Sequence, residues 1–414
     1  MNRHFRRWAP VALALVLAAC GGDDGSDPLD IEEPGNNTSA GNNVTTAPNN
    51  TSENNVTAGE RSVEVVLETT AMTGPSGFST EIVFTVPENA QSVAITVVGD
   101  PGTNYTLSYW RNGPDGEFVV PQNWYSQSQL GPTLCLTCSN RIVSSDAAFA
   151  AMLPVNPSEL EVVPGEHAIG LFSYNIDGFN LAPTGSNVDV KVVAKVMPER
   201  PQVGIVDINF YFTGAGGWTA ASAQNDPEFQ ELQDQVNEVW GQVGVSLGDT
   251  TFNDIGTEYQ VIEEATVPGG DLTDLFALSL NAPSDAVNVF FVDEIMAGGP
   301  LGGFGVILGI AGGIPGPIEV AGTGKSGVAL IVEPPPEIPT PIGLIFAHEV
   351  GHYLGLSHTS ENAFAGQTHD QLSDTPEDDA SFLMHNMGSG NKMSEQQGIV
   401  MRLNPWTRNE GPEQ

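Results

Sequence analysis

Positive charge is scarce in this chain. Its 414 residues hold 13 Lys plus Arg against 51 Asp plus Glu, a formal charge of -38 at pH 7. A chain this acidic repels phosphate backbones, which excludes nucleic acid as a partner, and gains nothing from the charge of anionic lipid headgroups. Self-repulsion of this kind keeps a surface soluble. Cysteine is scarce too, with Cys20, Cys135 and Cys138 alone, so a zinc site built from two cysteine pairs is excluded. No uninterrupted apolar run reaches the roughly 20 residues that span a bilayer as a helix. The longest candidate, 304–332, is broken by Pro315, Pro317 and several Gly. Charged residues make up 15% of the chain against 40% hydrophobic, enough apolar surface to bury a core and to exclude global disorder. Histidine is sparse but concentrated: five of the seven fall between His348 and His385.

The N-terminus reads as an address. Arg3, Arg6 and Arg7 precede an apolar stretch from Ala9 to Ala19, too short for a transmembrane helix and suited to a signal peptide over 1–19. Leu17-Ala18-Ala19-Cys20 resembles the lipobox of bacterial lipoproteins, which implies cleavage before Cys20 and its lipidation. The expected location is therefore a bacterial outer membrane or cell surface, lipid-anchored, facing periplasm or exterior. Residues 20–60 carry repeats such as Asn36-Asn37-Thr38-Ser39 and Asn54-Asn55-Val56-Thr57 and almost no large apolar side chains. This segment reads as a disordered tether.

From 61 to 198 short alternating runs dominate. Val63, Val65 and Leu67, then Ile82, Phe84 and Val86, then Val93, Ile95 and Val97 alternate with other residues, and Gly, Pro, Asn and Asp separate the runs. The expectation is an all-β sandwich or jelly roll, with at most a short helical piece near 145–153. Cys135 and Cys138 lie here. Outside the cytoplasm they are expected to form a local disulfide. Pro198-Glu199-Arg200-Pro201 looks like a domain junction.

Residues 199–414 mix strands with helices, which predicts an α/β domain. Strands are expected at 203–212, 245–252, 287–292 and 328–332. Asp226-Pro227 starts a helix whose apolar face is Phe229, Leu232, Val236, Val239 and Val243. A second helix is expected near 272–280, and a third from about 341. Gly322-Thr323-Gly324-Lys325-Ser326 is not a phosphate loop, because the required earlier Gly is replaced by Glu319.

The third helix carries the chemistry. His348 and His352 are four residues apart, so on a helix they project from one face, one turn apart. Two imidazoles so placed can reach one Zn²⁺. Gly355 lets the chain turn out of the helix and return His358 as a third ligand. Three neutral His leave the ion doubly positive with an open position, where it acidifies bound water. Glu349 stands beside that position as the candidate general base. A bare His-Glu-x-x-His arises by chance in roughly one chain per hundred of this length, and requiring Gly355 and His358 cuts that several hundred-fold. The lone His167 reads as structural or exposed.

The extended pattern His348-Glu349-Val350-Gly351-His352 through Gly355 to His358 resembles the metzincin zinc endopeptidases. The resemblance implies a Met-containing turn beneath the metal, for which Met384 is the first candidate and Met387 the reserve. His369-Asp370-Gln371-Leu372-Ser373-Asp374 and Met401-Arg402-Leu403-Asn404-Pro405 look like the pappalysin-type branch and related bacterial lipoprotein proteases. That likeness implies a protein or peptide substrate, and an edge strand Val328-Ala329-Leu330-Ile331-Val332 pairing with it under the Gly-rich loop 298–317. It also raises Ca²⁺ at Asp370 and Asp374, against the plain reading of a solvated acidic face. The branch usually places Asp-Tyr after the Met; here His385 and Asn386 follow, so the Tyr contribution is absent and His385 is a candidate replacement. The alternative is a surface adhesion or binding lipoprotein with a weakly active or inactive version of the same fold. Oligomeric state is not legible.

Overall fold

The computed structural model describes residues 62–116, 118–120, 145–154, 161–177, 180–282, 285–296, 307–336, 338, 340–363, 366–386 and 390–409. The segments expected as signal peptide and tether, Cys20, Cys135, Cys138 and Met387 lie outside the described residues. What is described is mostly β-sheet, arranged as several sheets, with few helices. None of those helices is long and apolar enough to cross a membrane.

The first strands are β1 (Val63–Thr73), β2 (Ile82–Val86), β3 (Ala90–Val98), β4 (Asn104–Arg111), β5 (Phe118–Val120), β6 (Ser145–Asp146), β7 (Ala148–Leu153), β8 (Gly165–Asp177), β9 (Asn180–Pro183) and β10 (Ser186–Val196). They form two antiparallel sheets. One runs β1-β10-β3-β7; the other runs β2-β8-β4-β5, with β6 against β4 and β9 against β8. Val93, Ile95 and Val97 of the first sheet meet Leu107, Trp110 and Ile169 of the second in one fully buried cluster. In β2 and β3 the alternation read from the sequence is thus the inward face of a sandwich, whereas in β1 a register shift between Val65 and Leu67 breaks it and leaves Val65 57% exposed.

The expected helical piece near 145–153 is instead β6 and β7, with Ala148–Leu153 paired antiparallel to β3. Alanine favours a helix by propensity, but packing overrides it here. Every side chain of β7 is buried, so small residues fit a strand covered on both faces.

The remaining elements are β11 (Gly204–Phe212), α1 (Ala220–Ala223), α2 (Pro227–Gly241), β12 (Val245–Asp254), β13 (Val261–Ile262), α3 (Asp271–Ala277), β14 (Val287–Val292), β15 (Glu294–Ile295), β16 (Gly309–Ala311), β17 (Val328–Ile331), α4 (Ile342–Tyr353), β18 (Ser360–Ala363), β19 (Gly366–His369), α5 (Glu395–Leu403) and β20 (Thr407–Arg408). A mixed sheet runs β12-β11-β14-β17-β16, with β20 against β11. Its β11, β12, β14 and β17 are mutually parallel, while β16 is antiparallel to β17. The helix expected at Asp226-Pro227 is α2. Asp226 caps it by accepting the Glu228 and Phe229 amides at 2.9 and 3.2 Å, and Phe229, Leu232, Val236 and Val239 are buried. Phe210, Phe212, Phe229, Phe291 and Trp218 pack edge-to-face and stacked between helix and sheet. This aromatic block is the floor on which α4 rests, through Phe346 against Phe210.

β17 departs from the expectation for Val328–Val332. It is paired on both sides, by β14 and by β16, and Val328, Ala329, Leu330 and Ile331 are all buried. It is a core strand, not an edge. Among the described residues the sheet ends on this side at β16, inside the Gly-rich stretch read as a loop, and on the other at β12.

Candidate metal centre

α4 is buried from Ile345 to Tyr353, so its polar side chains are there for a reason other than solvation. His348 and His352 sit one turn apart on it, 5% and 1% exposed. After Tyr353 the helix is closed by the Leu356 amide donating to the Gly351 carbonyl at 2.9 Å. Gly355 adopts φ +105, a region costly for any residue with a Cβ, and this turns the chain back toward the helix. The reversal delivers His358, 5% exposed, beside the other two.

The three imidazoles converge through one nitrogen each. His358 Nε2 lies 3.3 Å from His348 Nε2 and 3.1 Å from His352 Nε2. The other ring nitrogens of the helical pair are already spoken for. His348 Nδ1 donates to the Leu383 carbonyl at 2.6 Å, and His352 Nδ1 donates to the Leu356 carbonyl at 2.6 Å. Those bonds set the tautomer, leaving both Nε2 atoms as lone-pair donors aimed at one point. Burial holds the His348 imidazole down at about 3, with the neighbouring His358 and His385 adding to the effect, so the ring is neutral at physiological pH. Three tetrahedral donors at the usual 2.0–2.1 Å from one zinc ion sit about 3.3 Å apart, so the observed spacing fits such an ion. These three are the group of metal-ligating side chains that converges among the described residues.

Glu349 follows His348 and is 5% exposed. Burial pushes its carboxyl up to about 8, partly offset by the Ala311 amide of β16, which donates to it. Its Oε2 is buried without a protein partner. A divalent cation alongside would favour the carboxylate form. β16 runs directly over this side chain: a Cβ at Gly309 would lie 2.5 Å from Glu349 Cγ.

Met384 is fully buried beneath the helix. A Cβ at Gly351 would lie 2.9 Å from its sulfur, so Gly351 makes room for it between the two helical histidines. The same segment supplies the Leu383 carbonyl to His348, and the Met384 carbonyl accepts the Thr359 amide at 2.8 Å. It therefore clasps both the helix and the strand that follows His358.

The other candidates are not ligands in this cluster. His385 is 5% exposed, and its Nε2 faces Asp378 Oδ1 at 3.4 Å. His369 Nδ1 bonds Ser360 Oγ at 2.7 Å. Asp370 Oδ1 accepts from the Leu372 amide and from Thr375 Oγ1, and Asp374 accepts from the Gln396 amide in the first turn of α5. These are turn and cap bonds, the ordinary use of such carboxylates. The backbone groups of Ala311, Leu356 and Leu383 were invisible to sequence reading, because a carbonyl or amide has no residue signature.

No protein-family model matches the chain, and no curated protein matches it. Among solved structures, metalloproteinase-II from Bacteroides fragilis is similar at TM-score 0.30 and 11% identity, over 51% of this chain and 62% of that one. A family two carbohydrate esterase from Clostridium thermocellum is similar at TM-score 0.15 and 12% identity, over 53% and 60%. One from Cellvibrio japonicus reaches TM-score 0.14 and 11% identity, over 56% and 77%. Likenesses this weak carry no functional argument. The three-histidine cluster carries it.

Proposed function

We propose that this chain is a zinc-dependent endopeptidase of the metzincin type. The observation behind the proposal is the convergence of His348, His352 and His358 through Nε2 at 3.1–3.3 Å, next to a buried Glu349 carboxylate with one unsatisfied oxygen. Among divalent ions, a buried set of three imidazoles suits zinc. Three ligands rather than four mark a reactive site rather than a structural one. When bound, zinc supplies a Lewis acid that acidifies water and polarises a carbonyl.

The chain's own groups do the rest. Glu349 Oε2 takes a proton from the attacking water and returns it to the leaving amine. The Ala311 amide holds the carboxylate in place through that exchange. The Leu383 and Leu356 carbonyls keep the two helical imidazoles from rotating. An extended peptide laid along β16 would add a strand to the sheet and bring its carbonyl past Glu349, with Gly309 permitting the close approach.

The finer placement rests on sequence. His369-Asp370-Gln371-Leu372-Ser373-Asp374 and Met401-Arg402-Leu403-Asn404-Pro405 support a pappalysin-like branch, and Cys20 supports a lipid anchor on a bacterial surface, facing protein or peptide substrates. Mass spectrometry of the purified N-terminus tests the anchor.

The test of function is cleavage-site profiling on a peptide library with zinc content measured in parallel. Glu349→Ala should keep one zinc per chain and lose about 10²–10⁴-fold in hydrolysis. Full activity in that variant would refute the mechanism. A wild-type protein with full zinc and no cleavage of any peptide would refute the function.

A further inference from the structure

The sandwich does not merely precede the part that carries the three histidines; part of one face of its β1-β10-β3-β7 sheet is packed onto it. Ala94 of β3, Met152 of β7 and Val193 of β10, neighbours in register, belong to the second core rather than to the sandwich's own. Flanking them on the same face, Ser92 Oγ donates to the Leu403 carbonyl at 2.6 Å and Thr96 Oγ1 to the Ile318 carbonyl at 3.1 Å. Lys195, opposite Ser92 on β10, is fully buried. Its ammonium donates to the carbonyls of Arg402 at 2.8 Å, Asn404 at 3.0 Å and Thr407 at 2.5 Å. A protonated lysine has three donors, and each meets one carbonyl.

Two of those carbonyls, of Arg402 and Asn404, lie at the C-terminal end of α5, where a helix leaves acceptors for a cation, and the third, of Thr407, opens β20. The sandwich therefore caps a helix of the other half. The cap does not end there. Asn404, fully buried, reaches with Nδ2 to the Leu354 carbonyl at 3.0 Å. Leu354 is the residue before Gly355, at the turn that returns His358 to the metal point. Gly355 also faces the sandwich and α5 directly: a Cβ there would lie 3.2 Å from Met152 Cε and 3.5 Å from Val400 Cγ1.

We propose that Lys195 and Asn404 form a positioning relay, by which the β-sandwich holds the turn carrying His358 and so sets the affinity of the three-histidine site. The inference rests on the metal-site reading above. Lys195 touches no ligand; it fixes the end of α5, Asn404 passes that constraint to Leu354, and the turn keeps His358 within 3.3 Å of its partners.

The experiment uses the full chain with Lys195→Met, Asn404→Asp, the double variant, and the milder Ser92→Ala. The control, Val97→Ala, trims the sandwich core on its opposite face. Zinc dissociation constants are measured by competition with a chelator dye. Hydrogen exchange of 354–358 is measured in the metal-free proteins. The relay predicts at least a tenfold weaker zinc constant in each of Lys195→Met and Asn404→Asp, a double variant no weaker than the worse single, and faster exchange at 354–358. It predicts a smaller loss of the same kind in Ser92→Ala, which still reports if Lys195→Met fails to fold. Val97→Ala should lower the melting point and leave the zinc constant within twofold. Unchanged zinc affinity in the folded variants, or losses that simply add, would overturn the relay. A wild-type chain that takes up no zinc would overturn the metal site instead, and the exchange of 354–358 would still decide whether the relay holds the turn.

Discussion

At the scale of single residues, the same amino acid does opposite work in the two halves of the chain. His348 and His352 each donate one ring nitrogen to a backbone carbonyl and turn the other toward a shared point. His167 is buried just as completely, but both ring nitrogens are consumed: Trp110 Nε1 donates to Nδ1 at 3.2 Å, and Nε2 donates to the Val163 carbonyl at 2.7 Å. It is a satisfied core histidine. Burial lowers its affinity for a proton, with Arg111 nearby acting in the same direction. The folded state thus binds fewer protons at this ring than the unfolded state does. Its contribution to stability is fully present above about pH 6.5 and is lost as pH falls below that value. His167→Gln removes the titration, so the gap between wild-type and variant melting points should shift against wild type from pH 7.5 to pH 5. A gap that stays constant with pH would show that His167 is not the group responsible.

At the scale of elements, α2 and α4 were legible because their signals are local. A cap residue, a proline in the first turn and an apolar face specify α2, and the four-residue histidine spacing needs only a helix to acquire meaning. The role of β16 was not legible. Three residues, Gly309-Ile310-Ala311, carry no alternation, and they lie in a Gly-rich run that reads as a loop. They become a strand because β17 offers a free side, and they reach Glu349 because Gly309 has no side chain. The consequence is testable. Gly309→Ala places a Cβ within 3 Å of both Glu349 Cγ and Leu330 Cδ2. Peptide hydrolysis should fall at least tenfold while zinc content stays at one per chain. Unimpaired hydrolysis would remove β16 from the site. β7 makes the same point in reverse, since its alanines favour a helix locally and a strand only once a layer covers each face.

At the scale of the whole molecule, two cores are joined by one sheet. The strand β3 gives Val93, Ile95 and Val97 to one core and Ala94 to the other. A metal bound at His348, His352 and His358 ties α4 to the chain beyond its exit turn, so it stabilises the folded chain through mass action, by about 2.7 kcal/mol at a hundredfold excess over its dissociation constant. Chelation should therefore lower the melting point, and titrating zinc back should raise it progressively with concentration. A melting point indifferent to both would mean that no metal binds the native state.

The sequence by itself determined the chemistry that is local in the chain: the spacing of His348, Glu349, His352 and His358, the glycine at the turn, and the alternation that makes the sandwich strands. These depend on 3.6-residue and two-residue periods and on backbone sterics, which act over a few neighbours. Tertiary structure alone decided which carbonyl orients each imidazole, which strand passes over Glu349, and which lysine caps α5. Each of those partners is a backbone group or a distant side chain, as with Lys195 and the carbonyl of Asn404 some two hundred residues away. Packing brings them together, and no local pattern in the chain encodes the meeting.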